Sequence, residues 1–188
     1  MKKLLTIALI LALLAAFAAC GETQQPSPTP TPTEQSSNPV TGSEYAFGGL
    51  LIPLPDGMTI IDASTIQQGV PEGTKVATLS DGSNISFVTT KEQGVASISV
   101  KDSLEQTFAS TYGEGFSGLK DFTVYVIGGY GAMRYNFTVN LYGVTMRMEQ
   151  VIVTLDGVTT TITYTDNTIG FIHADAFRAS IEGIRIDQ

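Results

Sequence analysis

The sequence predicts an α+β domain built as one antiparallel β-sheet flanked by helices, and three observations predict it. Five stretches rich in β-branched and aromatic residues follow one another along the chain: "NISFVTT", "FTVYVIG", "AMRYNFTVNL", "VTMRMEQVIVTL" and "VTTTITYT". The links around them carry Gly, Asp and Ser, the residues of tight turns, and tight turns join neighbouring strands antiparallel. Only two stretches, near 103–113 and 174–183, keep helical spacing.

Each element has its own reason. Ser80-Asp81-Gly82-Ser83 reads as the turn that leads into "NISFVTT". In "KDSLEQTFASTYGEG", Ser103 and Gln106 have the spacing of a capping box, Leu104, Phe108 and Tyr112 form one stripe, and Gly113 stops the helix. Gly128-Gly129-Tyr130-Gly131 joins two strand patterns and reads as a turn rather than a phosphate loop. Beyond it, Met133, Tyr135, Phe137 and Val139 alternate with Arg134, Asn136 and Thr138, and a turn near Tyr142 sets them beside Val144, Met146 and Met148.

Asp156-Gly157 is the strongest local signal. A two-residue turn there makes Leu155 oppose Val158, Val153 oppose Thr160 and Val151 oppose Ile162, while Thr154 opposes Thr159 and Gln150 opposes Thr163 on the other face. The strand leading into that turn switches its apolar parity, from even positions up to Met148 to odd positions from Val151. Either a β-bulge near Glu149 and Gln150 flips the faces, or the strand is central and covered on both sides. Near the end, Ala174, Phe177 and Ile181 keep helical spacing, Gly183 is a stop, and Ile184-Arg185-Ile186 adds a short strand.

The N-terminus reads differently. Lys2 and Lys3 precede an apolar run from Leu4 to Ala16, and small residues Ala18 and Ala19 precede Cys20, the layout of a secretory signal peptide. The run falls short of the about 20 residues that a membrane span needs. Cys20 is the only cysteine in the chain, and "Phe17-Ala18-Ala19-Cys20" resembles a bacterial lipoprotein signal, with Phe where Leu is usual. That resemblance implies that processing leaves Cys20 as a lipidated N-terminus, its sulfur being the side-chain nucleophile suited to take up a lipid. Two or more acyl chains hold a membrane firmly where one does not.

After Cys20, "GETQQPSPTPTPTEQSSNPVTGSE" has hardly an apolar residue and repeats Pro-Thr, which favours polyproline II over a packed core. The expected organisation is therefore a signal peptide over 1–19, a lipidated Cys20 with a Pro/Thr-rich tether over 20–44, and one domain over 45–188. The net charge of −8 becomes −10 once Lys2 and Lys3 are removed, which speaks against nucleic acid and against electrostatic docking on anionic lipid.

No constellation in the domain carries catalysis, and neither a catalytic residue nor a metal or cofactor site is expected. His173 is the only histidine, with no Cys or second His to share a metal. Asp81 and Asp156 precede Gly in turns, and Asp166 and Asn167 are adjacent rather than alternate as a calcium loop needs. Glu149 is the acid to watch, because Arg134 can reach it across the sheet as a structural pair.

The order of "GGLLIPLPDGM", a middle helix, a meander through "YNFTVN" and "EQVIVTLDGVTTTITYT", and a closing "AFRASIEGIRI" resembles the PsbP-like superfamily, over about Phe47 to Ile186. The resemblance implies an α/β/α sandwich with helices on both faces of an antiparallel sheet, and a non-enzymatic domain that binds or assists other proteins. It carries over no binding residue. The expected function is a membrane-anchored extracytoplasmic lipoprotein of a bacterial envelope, held by its lipid and serving an envelope or surface protein partner. The alternatives are a small-molecule or lipid binding module and, last, an enzyme. An apolar groove along a sheet edge favours the first; an enclosed apolar pocket of about 300 Å³ or more favours the second.

Overall fold

The computed structural model describes residues 44–65, 69–91 and 96–187; the signal peptide, Cys20 and nearly all of the tether lie outside these. Ten strands and two helices follow in order: β1 Glu44–Phe47, β2 Leu50–Pro53, β3 Thr59–Asp62, β4 Lys75–Thr78, β5 Asn84–Thr90, α1 Lys101–Tyr112, β6 Lys120–Ile127, β7 Tyr130–Leu141, β8 Val144–Leu155, β9 Val158–Asp166, α2 Ala174–Glu182 and β10 Arg185–Ile186. Seven strands form one antiparallel sheet in the order β3-β4-β5-β9-β8-β7-β6, and β1-β2-β10 form a second, smaller one.

Turn chemistry sets the register as the sequence predicts. Across Asp156-Gly157, Leu155 faces Val158, Val151 faces Ile162 and Gln150 faces Thr163. Across Tyr142-Gly143, Leu141 faces Val144 and Phe137 faces Met148. The β8 pairing runs without a slip on both sides, so no bulge lies at Glu149 or Gln150. Of the two explanations for the parity switch, central placement is the correct one. On one face Met148 and Ile152 pack with Met133, Tyr135 and Phe137 under Leu104, Phe108 and Tyr112 of α1. On the other, Val151, Val153 and Leu155 pack with Ile162 and Tyr164 under Phe177 and Ile181 of α2 and under Leu50 and Ile52 of β2.

Helix α1 departs from its predicted start. It begins at Lys101, and no side chain caps it at Val100. Ser97 instead caps a 3₁₀ turn over Ile98–Val100, which runs directly into the helix. Ser103 therefore lies inside the first turn, where no capping box forms. The stripe and the stop are as predicted: Leu104, Phe108 and Tyr112 are buried, and Gly113 ends the helix at φ +59.

The second sheet was not predicted beyond its last strand. β2 is the centre of it, pairing with β1 on one side and with β10 on the other. This layer, with α2, closes over the face of the large sheet opposite α1. The threonines of β9 on the face opposite Ile162 are covered: Thr159, Thr161, Thr163 and Thr165 are all buried. A lysine at Thr163 is consequently disfavoured, because that face is covered.

Candidate functional site

Strand β6 ends the large sheet, and its neighbourhood is set by two local features. At its start the register against β7 shifts between Lys120 and Thr123, with Asp121 at φ +52. Such a bulge turns the strand and re-aims its side chains. At its end Gly128 turns the chain at φ +57, and a Cβ there would stand 2.4 Å from Cγ1 of Ile186. Glycine thus serves both the turn and the close approach of β10.

Between β6 and the α2–β10 layer lies a groove of about 870 Å³, open along the sheet edge. Thr123, Tyr125 and Ile127 of β6 and Arg134 of β7 line it on one side. Ile181, Glu182 and Ile184 to Asp187 line it on the other, with Leu51 of β2. On the other face of β6 two apolar residues are exposed, Val124 at 40% and Val126 at 65%.

The charges at the groove are not balanced. Arg134 donates to the buried Glu149, Nε to Oε1 at 2.5 Å, and Arg147 stands 3.9 Å from the other oxygen. Arg185 is held by Glu44, the first residue of β1. Both arginines of the groove therefore already have their carboxylates. The Asp121 carboxylate accepts a neutral hydrogen bond from Asn136 at 2.7 Å. Asp121, Glu182 and Asp187 have no cation partner among the described residues. Tyr125 adds a buried hydroxyl with no hydrogen-bond partner. Burial raises its pKa against the lowering effect of Arg134, so it stays a neutral donor.

The residues singled out in the sequence fall in different places. Glu149 and Arg134 meet as cross-strand reasoning expects, and Glu149 sits beneath the groove without lining it. His173 stands at the N-cap of α2, where its Nε2 lies 2.6 Å from Oδ2 of Asp81 in the β4–β5 turn. Burial works against the charge on Asp81, but hydrogen bonds from His173 and Ser83 outweigh it and hold the carboxyl below its usual range. This pair lies away from the groove. Asp166 is 1% exposed and accepts hydrogen bonds from the backbone N–H groups of Thr168 and His173, which fastens the loop into α2. No group of three or more His, Cys, Asp or Glu is placed to hold a metal among the described residues. Sequence reasoning missed the groove. One signal was available: "FTVYVI" is apolar at both parities, as only a strand with an odd environment needs to be.

The sequence matches no protein-family model and no curated protein. Structure does find a likeness: the solution structure of cyanobacterial PsbP (CyanoP) from Synechocystis sp. PCC 6803 superimposes with a TM-score of 0.59 at 13% identity, covering 84% of this chain and 100% of that one. The fold is PsbP-like. Two looser matches are the protein of unknown function PA94 from Pseudomonas aeruginosa (TM-score 0.44, 14% identity, 77% of this chain and 96% of that one) and LpqN of Mycobacterium tuberculosis, involved in cell envelope biogenesis (TM-score 0.40, 17% identity, 81% and 91%). The sandwich that the resemblance implied, with helices on both sheet faces, is thus present in this PsbP-like domain.

Proposed function

We propose that this chain is a lipid-anchored extracytoplasmic protein of a bacterial envelope, and that its PsbP-like domain binds a partner protein and assists its assembly without catalysis. The observation that carries this reading is the groove, which opens along a sheet edge instead of closing into a pocket. Two exposed valines, Val124 and Val126, lie on a strand edge that is unpaired among the described residues, which favours a partner there. The paired ionisable groups that could suggest an enzyme each have a structural role: Glu149 is neutralised by Arg134, and Asp81 with His173 ties the β4–β5 turn to α2. The anchor rests on Cys20. A tether of some 24 residues, at about 3.1 Å per residue where extended, would let the domain reach several tens of ångströms from the membrane. It would also raise the local concentration of the domain near membrane-bound partners, so modest affinity suffices.

The test is photo-crosslinking in cells from a reactive side chain at position 126, with position 142 as control, since Tyr142 is 94% exposed in a turn away from the groove. A discrete product from 126 and none from 142 is expected; equal products from both, or none, would remove the groove reading. Cys20→Ser should release the protein from the membrane, and membrane retention of that variant at mature mass would refute the anchor.

A small-molecule or lipid ligand is the second reading, favoured by the groove volume, which lies within the about 300–1,000 Å³ of ligand sites, and by the unpartnered Tyr125 hydroxyl. Native mass spectrometry showing a bound small molecule that is lost on Tyr125→Phe would favour it.

A further inference from the structure

We propose that the groove takes an extended cationic segment of its partner, alternating apolar and basic residues, which pairs with β6 as an eighth strand of the large sheet. This rests on the groove being the partner site and names the chemistry of the occupant.

The Gly128-Gly129 turn sets which backbone groups of β6 are free. A two-residue loop makes Ile127 and Tyr130 a hydrogen-bonded pair, and the alternation of an antiparallel ladder then makes Tyr125–Ala132 and Thr123–Arg134 the same. Val124 and Val126 lie between these pairs. Their N–H and C=O groups therefore point away from β7 toward the open edge. Proteins usually blunt such an edge with charge, proline, a bulge or a covering element. Here Lys120 and the bulge protect the beginning of β6 and the 3₁₀ turn over Ile98–Val100 approaches the strand, but the stretch from Thr123 to Ile127 has neither charge nor proline. Its two outward-pairing residues are also the two exposed valines.

Charge selects the occupant. Arg134 and Arg185 are neutralised within the domain, whereas Asp121, Glu182 and Asp187 are exposed and meet no cation among the described residues. The groove is therefore acidic, and a segment with lysine or arginine at alternate positions complements it on that face, while its apolar residues, on the other face of the added strand, lie beside Val124 and Val126. Two other occupants fit less well. The chain's own tether has no Lys or Arg, carries Glu22 and Glu34, and has prolines at 26, 28, 30 and 32, which lack the N–H that a strand must donate. A second copy pairing β6 with β6 would bring the same three carboxylates against each other.

The experiment uses the full chain in detergent and fluorescence anisotropy with an eight-residue peptide of alternating valine and lysine. Binding that weakens as salt rises is expected, with at least ten-fold weaker binding of two probes: a valine–glutamate peptide, and the valine–lysine peptide N-methylated on alternate backbone nitrogens. Glu182→Lys with Asp187→Lys, both at exposed positions, should weaken the valine–lysine peptide at least ten-fold. Equal binding of the N-methylated peptide overturns strand addition, and equal binding of the glutamate peptide overturns the charge selection. A homodimer crosslinked from position 126 would make the occupant a second copy and overturn the proposal. If the peptide fails to bind while position 126 still captures a partner, the strand proposal falls and the groove reading stands; if both fail, both fall.

Discussion

Replacing Arg134 by alanine removes the close cation from a carboxylate that has almost no water around it. Glu149 has a side chain only 6% exposed, and its contacts are Arg134 at 2.5 Å and Arg147 at 3.9 Å. Breaking a buried ion pair by deleting one partner costs about 3–5 kcal/mol, because the remaining charge is stranded. The more distant Arg147 keeps part of the compensation, which places Arg134→Ala at about 2–4 kcal/mol, or a fall in Tm of roughly 6–12 °C for a domain of this length. The converse change is cheaper. In Glu149→Leu the stranded group is Arg134, whose side chain is 26% exposed and can turn toward water, so about 1 kcal/mol or less is expected. The double variant should recover more than about 1 kcal/mol relative to Arg134→Ala alone. Urea denaturation with unchanged slopes is the assay, since a midpoint shift at constant slope reports stability alone. If Glu149→Leu cost as much as Arg134→Ala, or if the double variant showed no recovery, the buried charge at Glu149 would not be what Arg134 stabilises.

Two further outcomes follow from the same structure. Val153→Asp should abolish folding, read by loss of the cooperative thermal transition, because Val153 is fully buried between Ala132 and Thr160 with no cation opposite; Val151 is a less clean site, since Arg134 is its cross-strand partner. Asp62 is held at a pKa of about 2, chiefly by the hydrogen bond from Lys75 at 2.6 Å and then by those from Ser64. Its stabilising contribution is therefore fully present above its ordinary value of 3.8 and is lost as pH falls through about 2. Melting curves of wild type and Asp62→Asn should differ above pH 4 and converge toward pH 2; a gap that widens in acid would reverse the sign of the argument.

The sequence by itself determined the large sheet from β5 onward, the stripe of α1, the helix α2 and the pairing across Asp156-Gly157. These are legible because turn residues and side-chain alternation act within a few positions, and a one-residue slip would put Gln150 against Ile162 and Val151 against Thr163. The PsbP-like fold was legible for the same reason, as a succession of local signals.

Tertiary structure decided the rest. Whether β8 carried a bulge or two covered faces depended on α1 and α2 packing on opposite sides, a fact about elements far from it in the chain. The start of α1 moved because Ser97 capped a preceding turn in competition with Ser103, and local propensity does not rank such competitors. The burial of Thr159, Thr161, Thr163 and Thr165 was hidden because threonine suits a strand whether its face is wet or dry. The groove was least legible of all. It exists because β6 ends the sheet, because β10 returns from the end of the chain to lie beside Gly128, and because Arg185 spends its charge on Glu44, 141 residues away. Each of these is a long-range pairing, and a sequence read along its length records which residues can pair at an edge without recording which strand is left without a neighbour.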